Sequence, residues 1–201
     1  MFMLYPVAIG VVFGLLLGGR LGRLAELRLE WVWAALAAMM VQVLLFTPAV
    51  WTALGELVPP IYVVSTGVVL VVVLGNLRRA WALALVALGT ASNLAAIVAN
   101  GGFMPVTAEA LGIAAPAETL YGGNSMLTAD PLLAPLVDRF MLPEWLPLAT
   151  AFSVGDVLIS VGIVLVLIGA MRRPTDEPTA DGAPSPGAPG GQATSGRVPA
   201  R

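Results

Sequence analysis

The chain has 201 residues, 58% of them hydrophobic and 11% charged, with ten basic and twelve acidic side chains for a formal net charge of -2. Soluble domains carry about 25% charged residues, so composition argues against a soluble globular protein. With no cysteine and no histidine, disulfides, haem–His ligation, Fe–S clusters, Cys/His zinc sites and thiol or imidazole catalysis are excluded together. No metal or other cofactor is expected, and acid–base chemistry falls to Asp, Glu, Tyr or Arg.

Five apolar stretches follow one another along the chain, at residues 1–19, 31–50, 60–76, 81–100 and 146–171. Each is about long enough to cross roughly 30 Å of hydrocarbon as a helix, the third being the shortest. Helices are expected because an open strand edge would leave backbone groups unpaired in lipid. The first run has no preceding Lys or Arg, so it reads as a permanent span and not as a cleaved signal. Within it Gly10, Gly14 and Gly18 recur at four-residue spacing, a stripe that lets another helix approach closely and is expected to be an internal packing face.

Arginine sets the orientation. All ten basic residues are arginines, and nine of them lie in connections of one parity: Arg20, Arg23, Arg28, Arg78, Arg79, Arg172, Arg173, Arg197 and Arg201. Only Arg139 falls on the other side. The positive-inside rule makes the arginine-rich side cytoplasmic, with the N-terminus outside and the C-terminus inside. Trp31, Trp33 and Trp81 then mark inner ends, while Tyr5, Trp51, Tyr62 and Trp145 mark outer ends. The outer connections carry Glu56, Glu109, Glu118, Asp130, Asp138 and Glu144, read as a solvated acidic face.

The predicted architecture is all-α: a polytopic membrane helix bundle over residues 1–172, followed by a disordered cytoplasmic tail, 173–201. The tail is rich in Pro, Gly and Ala and has no apolar periodicity that could offset ordering entropy. The outer loop, 101–146, opens with "NGGFMPV". There Asn100 ends the fourth span, Gly101 and Gly102 permit positive φ, and Pro105 stiffens the exit. Further on, Asp130 as N-cap, Pro131 at the first helical position, and Leu132, Leu133, Leu136, Phe140 and Met141 at helical spacing predict a short amphipathic helix on the outer surface. Pro135 is expected to bend it.

One carboxylate stands inside the last apolar run, Asp156 in "AFSVGDVLISVGIVLVL". Counting back from Met171 at 1.5 Å per residue sets it about 22 Å above the inner boundary and roughly 8 Å below the outer one. A charged Asp at mid-membrane costs about 2.5–3.5 kcal/mol on insertion scales, and a polar partner reduces that cost. Asn93, in the outer half of its own span, is the candidate partner. Asp156 therefore either fixes packing through a hydrogen bond or serves as a functional acid.

"NGGFMPV", "NSMLTADPLLAPLVDRF" and "FSVGDVLISVGI" resemble an uncharacterised family of small bacterial multi-pass membrane proteins over about residues 1–172. That resemblance implies a bacterial inner-membrane protein and carries no activity. "AFSVGDVLISVGIVLVL" is also similar to the last-span motif of lipoprotein signal peptidase, a membrane aspartic protease, with Asp156 at the aspartate. "GTASNLAAIV" is similar to its asparagine–aspartate motif, with Asn93 at the asparagine, but Ala96 stands where the catalytic aspartate should be. Aspartic protease chemistry needs two carboxylates, and Asp138 supplies the second only if the outer loop folds back over the site.

The leading expectation is thus a non-enzymatic structural, assembly or small-ligand and lipid-binding factor of the inner membrane. The first alternative is an interfacial hydrolase using Asp156 and Asp138. The second is a small transporter with a pathway through Asp156, Asn93 and Gln42. Membrane lipid is the expected partner, a membrane-protein partner stays open, and no nucleic-acid partner is expected.

Overall fold

A computed structural model of the protein describes residues 4–111, 119–122, 124–143, 145–147 and 150–172. The proposed tail, 173–201, lies outside the described residues. Helices form on all five apolar stretches: α1 (Leu4–Leu16), α2 (Val32–Leu45), α4 (Val58–Gly75), α5 (Leu83–Ala99) and α7 (Val154–Arg172), with a short α3 (Pro48–Leu54) between α2 and α4. Two helical stretches are long and apolar enough to cross a membrane, Pro48–Gly75 with 28 residues and Val154–Arg172 with 19. Most of their side chains are not covered by protein, and apolar residues such as Leu16, Val43 and Val64 are exposed.

Helix ends follow local chemistry. The second apolar run was expected to reach residue 50 but α2 stops at Leu45: the Thr47 hydroxyl donates back to the Leu44 carbonyl at 2.7 Å, and Pro48 opens the next helix. In the last run the helix begins at Val154, later than expected, because Ala151–Phe152 is taken up as a strand.

In space the helices are neighbours in the order α1, α7, α5, α4, α2. Glycine makes the tightest of these contacts. A Cβ on Gly10 would lie 2.8 Å from Leu167 Cδ1, and one on Gly14 2.4 Å from Met171 Sδ, so two members of the α1 stripe do face a neighbouring helix of the same chain. Gly18 meets nothing within 4 Å and instead takes a positive φ at the helix exit. Between α5 and α7, a Cβ on Gly89 would be 2.3 Å from the Gly155 carbonyl and one on Gly162 2.6 Å from Val86 Cγ2. At the arginine-rich end, buried Asn76 ties two connections together: it accepts from the Glu30 N–H at 2.7 Å and donates to the Glu30 and Val72 carbonyls. Arg79 adds an ion pair to Glu30.

The fold is mostly helical but not all-α. The segment after α5 builds β1 (Met104–Thr107), a one-turn α6 (Ala108–Leu111), β2 (Thr119–Gly122), β3 (Ser125–Thr128), β4 (Phe140–Met141) and β5 (Ala151–Phe152). β1 pairs in parallel with β3, with Pro105 opposite Met126, and β3 pairs antiparallel with β2. β4 pairs antiparallel with β5, Phe140 opposite Phe152. The amphipathic helix expected over residues 130–141 is absent. Leu133 sits in the left-handed region at φ 55°, only a 3-10 turn forms at Ala134–Leu136, and Phe140 and Met141 are strand. Two prolines, Pro131 and Pro135, bracket that left-handed residue and prevent a continuous ladder of i to i−4 hydrogen bonds.

Tyr62 also departs from expectation. It is not a marker at a lipid interface but a buried member of the core with Leu45, Val58, Ala96, Ile97, Met104 and Val137, stacked edge-on against Phe46 at 5.1 Å. This cluster lies beneath the small sheet and joins the loop to α4 and α5.

Candidate functional site

The local sequence Ser153-Val154-Gly155-Asp156 explains how an acid comes to stand at the mouth of α7. Ser153 is the N-cap. The Asp156 N–H donates to Ser153 Oγ at 3.1 Å and Asp156 Oδ2 accepts from the Ser153 N–H at 2.9 Å, a reciprocal capping box. An acid in the first helical turn is further favoured by the positive end of the helix dipole.

The second oxygen reaches another helix. Asn93 Nδ2 on α5 donates to Asp156 Oδ1 at 2.9 Å. Ser153 Oγ lies 2.9 Å from both Asp156 Oδ2 and Asn93 Oδ1, with one hydroxyl proton to donate between them, which closes a ring of three side chains. The ring requires glycine at 155, because a Cβ there would lie 1.9 Å from Asn93 Oδ1. A carboxylate has about four lone-pair directions; two or three are occupied here, so Asp156 keeps room for water.

Asp138 arrives by a different route. The Asn100-Gly101-Gly102 turn ends α5 with Gly101 at φ 73° and Gly102 at φ 91°, and the Gly102 N–H returns to the Ile97 carbonyl at 2.8 Å. A Cβ on Gly102 would be 2.4 Å from Pro59 Cβ, so the turn is pressed against the start of α4. Asn100 then holds the loop in both directions. It accepts from the Leu132 N–H at 2.8 Å and donates to the Leu132 carbonyl at 2.9 Å. The Asp138 N–H donates to the Pro105 carbonyl at 3.0 Å, and the Asp138 carbonyl accepts from the Thr107 N–H at 3.3 Å. Next along the chain, the Arg139 N–H donates to the Phe152 carbonyl at 3.2 Å. Asp138 is thereby clamped between β1 and the segment that leads into α7. The outer loop folds back.

The consequence is electrostatic. Asp138 is buried, 6% exposed, and its Oδ1 has no hydrogen-bond partner among the described residues. Burial pushes its carboxyl up to about 7, and the neighbouring Asp156 pushes in the same direction. Sequence places it among the solvated outer acids; the fold desolvates it instead. Tyr62 lies within electrostatic reach of both aspartates, and its hydroxyl oxygen accepts from Asn124 Nδ2 at 2.7 Å. An open groove of about 680 Å³, lined by Thr107, Ala110, Arg139, Phe140, Met141 and Phe152, borders the clamp.

Of the residues singled out from sequence, Asn93 and Asp156 are in contact and Asp138 faces them electrostatically. Asn100, Gly101, Gly102 and Pro105 form the scaffold that carries Asp138. Gln42 does not join them: its Nε2 donates to Thr66 Oγ1 on α4 at 3.3 Å. Ser153, Tyr62 and Asn124 were missed. The S-x-x-D signature ahead of an apolar run was there to be read for Ser153; nothing local signals the other two. No group of three or more Asp or Glu side chains able to hold a metal ion occurs among the described residues.

No curated protein and no solved structure matches the chain. A family model does, over residues 26–168, which include every residue of the site. The chain belongs to the family of unknown function DUF5317.

Proposed function

We propose that the protein is a multi-pass membrane hydrolase that cleaves an amide or ester bond at the outer interface with Asp138 and Asp156. The observation that carries this reading is Asp138: a buried carboxyl with a free oxygen, within electrostatic reach of a second carboxyl that is fixed by the capping box and Asn93. Burying an acid without a partner costs stability, and perturbed groups of this kind concentrate at functional sites. The sequence favoured a non-enzymatic factor because it showed no redox or metal ligands, no nucleotide loop and no complete catalytic set, Asp156 having no evident second acid. The folded loop removes that last objection. The similarity of the last span to lipoprotein signal peptidase supports the same chemistry.

In this mechanism Asp138 carries a proton near neutral pH, and Asp156 accepts a proton from water. The water oxygen bonds to the scissile carbonyl carbon while Asp138 gives its proton to the carbonyl oxygen. As that intermediate collapses, the carbon–nitrogen or carbon–oxygen bond breaks. The leaving amine or alcohol takes the proton held on Asp156, and the hydroxyl proton of the intermediate returns to Asp138. One water is consumed and one carboxylic acid and one amine or alcohol are released.

The membrane setting rests on the exposed apolar helix faces and the arginine asymmetry. These support five spans with the N-terminus outside, the arginine-rich end in the cytoplasm and the dyad just beneath the outer surface of a bacterial cytoplasmic membrane.

The test is cleavage by purified protein in lipid nanodiscs of a mixture of synthetic peptides bearing one N-terminal acyl chain, read by mass spectrometry. Wild type is expected to cleave, with Asp138→Asn and Asp156→Asn each inactive at unchanged folding. Cleavage that survives in both variants, or a wild type that leaves every peptide intact, refutes the reading. A structural or lipid-binding factor would leave wild type and variants indistinguishable.

A further inference from the structure

Tyr62 is a buried phenol whose hydrogen bonding is half complete. Its oxygen accepts from Asn124 Nδ2 at 2.7 Å, and Asn124 is itself fixed because its backbone carbonyl accepts from the Met104 N–H at 3.0 Å. A phenol also has one proton to donate, and among the described residues no acceptor takes it. The ring cannot turn to find one. It is 7% exposed, packed with Val58, Ile97 and Val137 and stacked on Phe46. Val137 immediately precedes Asp138, so the same packing that locks the ring also positions one acid of the dyad. The phenol oxygen lies within electrostatic reach of both Asp138 and Asp156. Three groups in this part of the molecule keep unused hydrogen-bonding capacity: the free Asp138 Oδ1, a remaining lone pair of Asp156, and the Tyr62 O–H.

We propose that Tyr62 is a catalytic residue of this dyad, its hydroxyl donating a hydrogen bond to the substrate oxygen on which negative charge develops, with Asn124 as the positioning residue that aims it. This rests on the hydrolase reading and supplies what the two acids lack, a donor that stays in place while the Asp138 proton moves. A fixed donor aimed at developing charge in a water-poor site is worth about 10²–10³ in rate. Asn124 occupies an acceptor position of the phenol, which leaves the proton free to donate elsewhere.

The test uses an epoxide, 1,2-epoxy-3-(4-nitrophenoxy)propane, with the full chain in nanodiscs. An Asp156 oxygen attacks an epoxide carbon, forming an ester bond and breaking the ring carbon–oxygen bond. The departing oxygen receives a hydrogen bond from Tyr62 and its proton from Asp138. Wild type is expected to acquire one adduct, mapped to Asp156 by mass spectrometry. Tyr62→Phe, which keeps the ring and its packing, is expected to slow labelling on the order of a hundredfold at an unchanged melting temperature. Asn124→Ala should slow it less, since the hydroxyl remains but is no longer aimed. Labelling of Tyr62→Phe at the wild-type rate overturns the role of Tyr62 and leaves the dyad standing. A wild type that acquires no adduct at either aspartate overturns both. Should Tyr62→Phe melt much lower, Asn124→Ala decides: wild-type labelling there also overturns the proposal.

Discussion

Replacing Asp138 by Asn changes one property of the site and leaves its shape nearly alone. The wild-type carboxyl titrates at about 7 in the folded protein, against 3.8 for a free Asp. Between those two values the folded state holds a proton that the unfolded state has released, so unfolding stability falls as pH rises, by about 1.36 kcal/mol per pH unit. Over the whole window the loss is about 4 kcal/mol, or roughly 10 °C in Tm for a chain of this length. Below the lower value the term vanishes, because both states are protonated; above the upper one it is constant.

Asn at 138 carries no such term. Its amide brings a fixed penalty if a donor is left unpaired, about 1–3 kcal/mol, but that penalty does not depend on pH. The expected result is a variant whose Tm relative to wild type climbs between pH 4 and pH 7 and then levels off. Thermal unfolding in neutral detergent micelles, followed by intrinsic tryptophan fluorescence, measures it. Parallel Tm curves across that range would falsify the burial of an unpartnered acid, and with it the basis of the proposed mechanism. An activity lost in the same variant that gains stability at neutral pH is the trade expected of a strained catalytic group.

Asn100→Ala removes two hydrogen bonds to the Leu132 backbone and one to the Ala96 carbonyl, an expected loss of about 2–3 kcal/mol. Hydrogen exchange at the Leu132 amide should quicken, and unchanged protection there would show that the loop is held by other means. Gly155→Ala places a Cβ 1.9 Å from Asn93 Oδ1 and 2.8 Å from the Gly89 carbonyl, so it should lower stability by on the order of 1–3 kcal/mol. The cost should shrink in an Asn93→Ala background, where the nearest clash is gone; strict additivity of the two changes counts against the contact. For topology, single cysteines introduced at Ser125 and Thr179 are unique in a chain without cysteine. An impermeant thiol reagent on intact cells should label only the first, and the reverse pattern inverts every assignment of side.

What could be read from the sequence was what depends on neighbours along one element. Apolar runs gave five helices because helix formation in an apolar setting needs only local hydrogen bonds. The glycines of α1 announced a close contact because small residues at four-residue spacing share one helix face. Asn93 could be matched to Asp156 because both are polar at similar depth in apolar helices, and Nδ2 and Oδ1 lie 2.9 Å apart. The sheet could not be read in the same way. Its strands are two to four residues long, too short for alternation to register, and the helical spacing of Leu132, Leu133, Leu136 and Phe140 competes with them. What defeats that helix is Leu133 at φ 55° between two prolines, a conformation imposed by Asn100 holding Leu132 from 32 residues away. The site was hidden for the same reason. Asp138 becomes a buried acid only through the Pro105, Thr107 and Phe152 backbone, and each of these partners looks like loop when taken alone. A polar residue that is costly where the fold places it, and cheap where sequence alone would leave it, calls for a reason beyond stability. The proposed dyad with Asp156 supplies that reason.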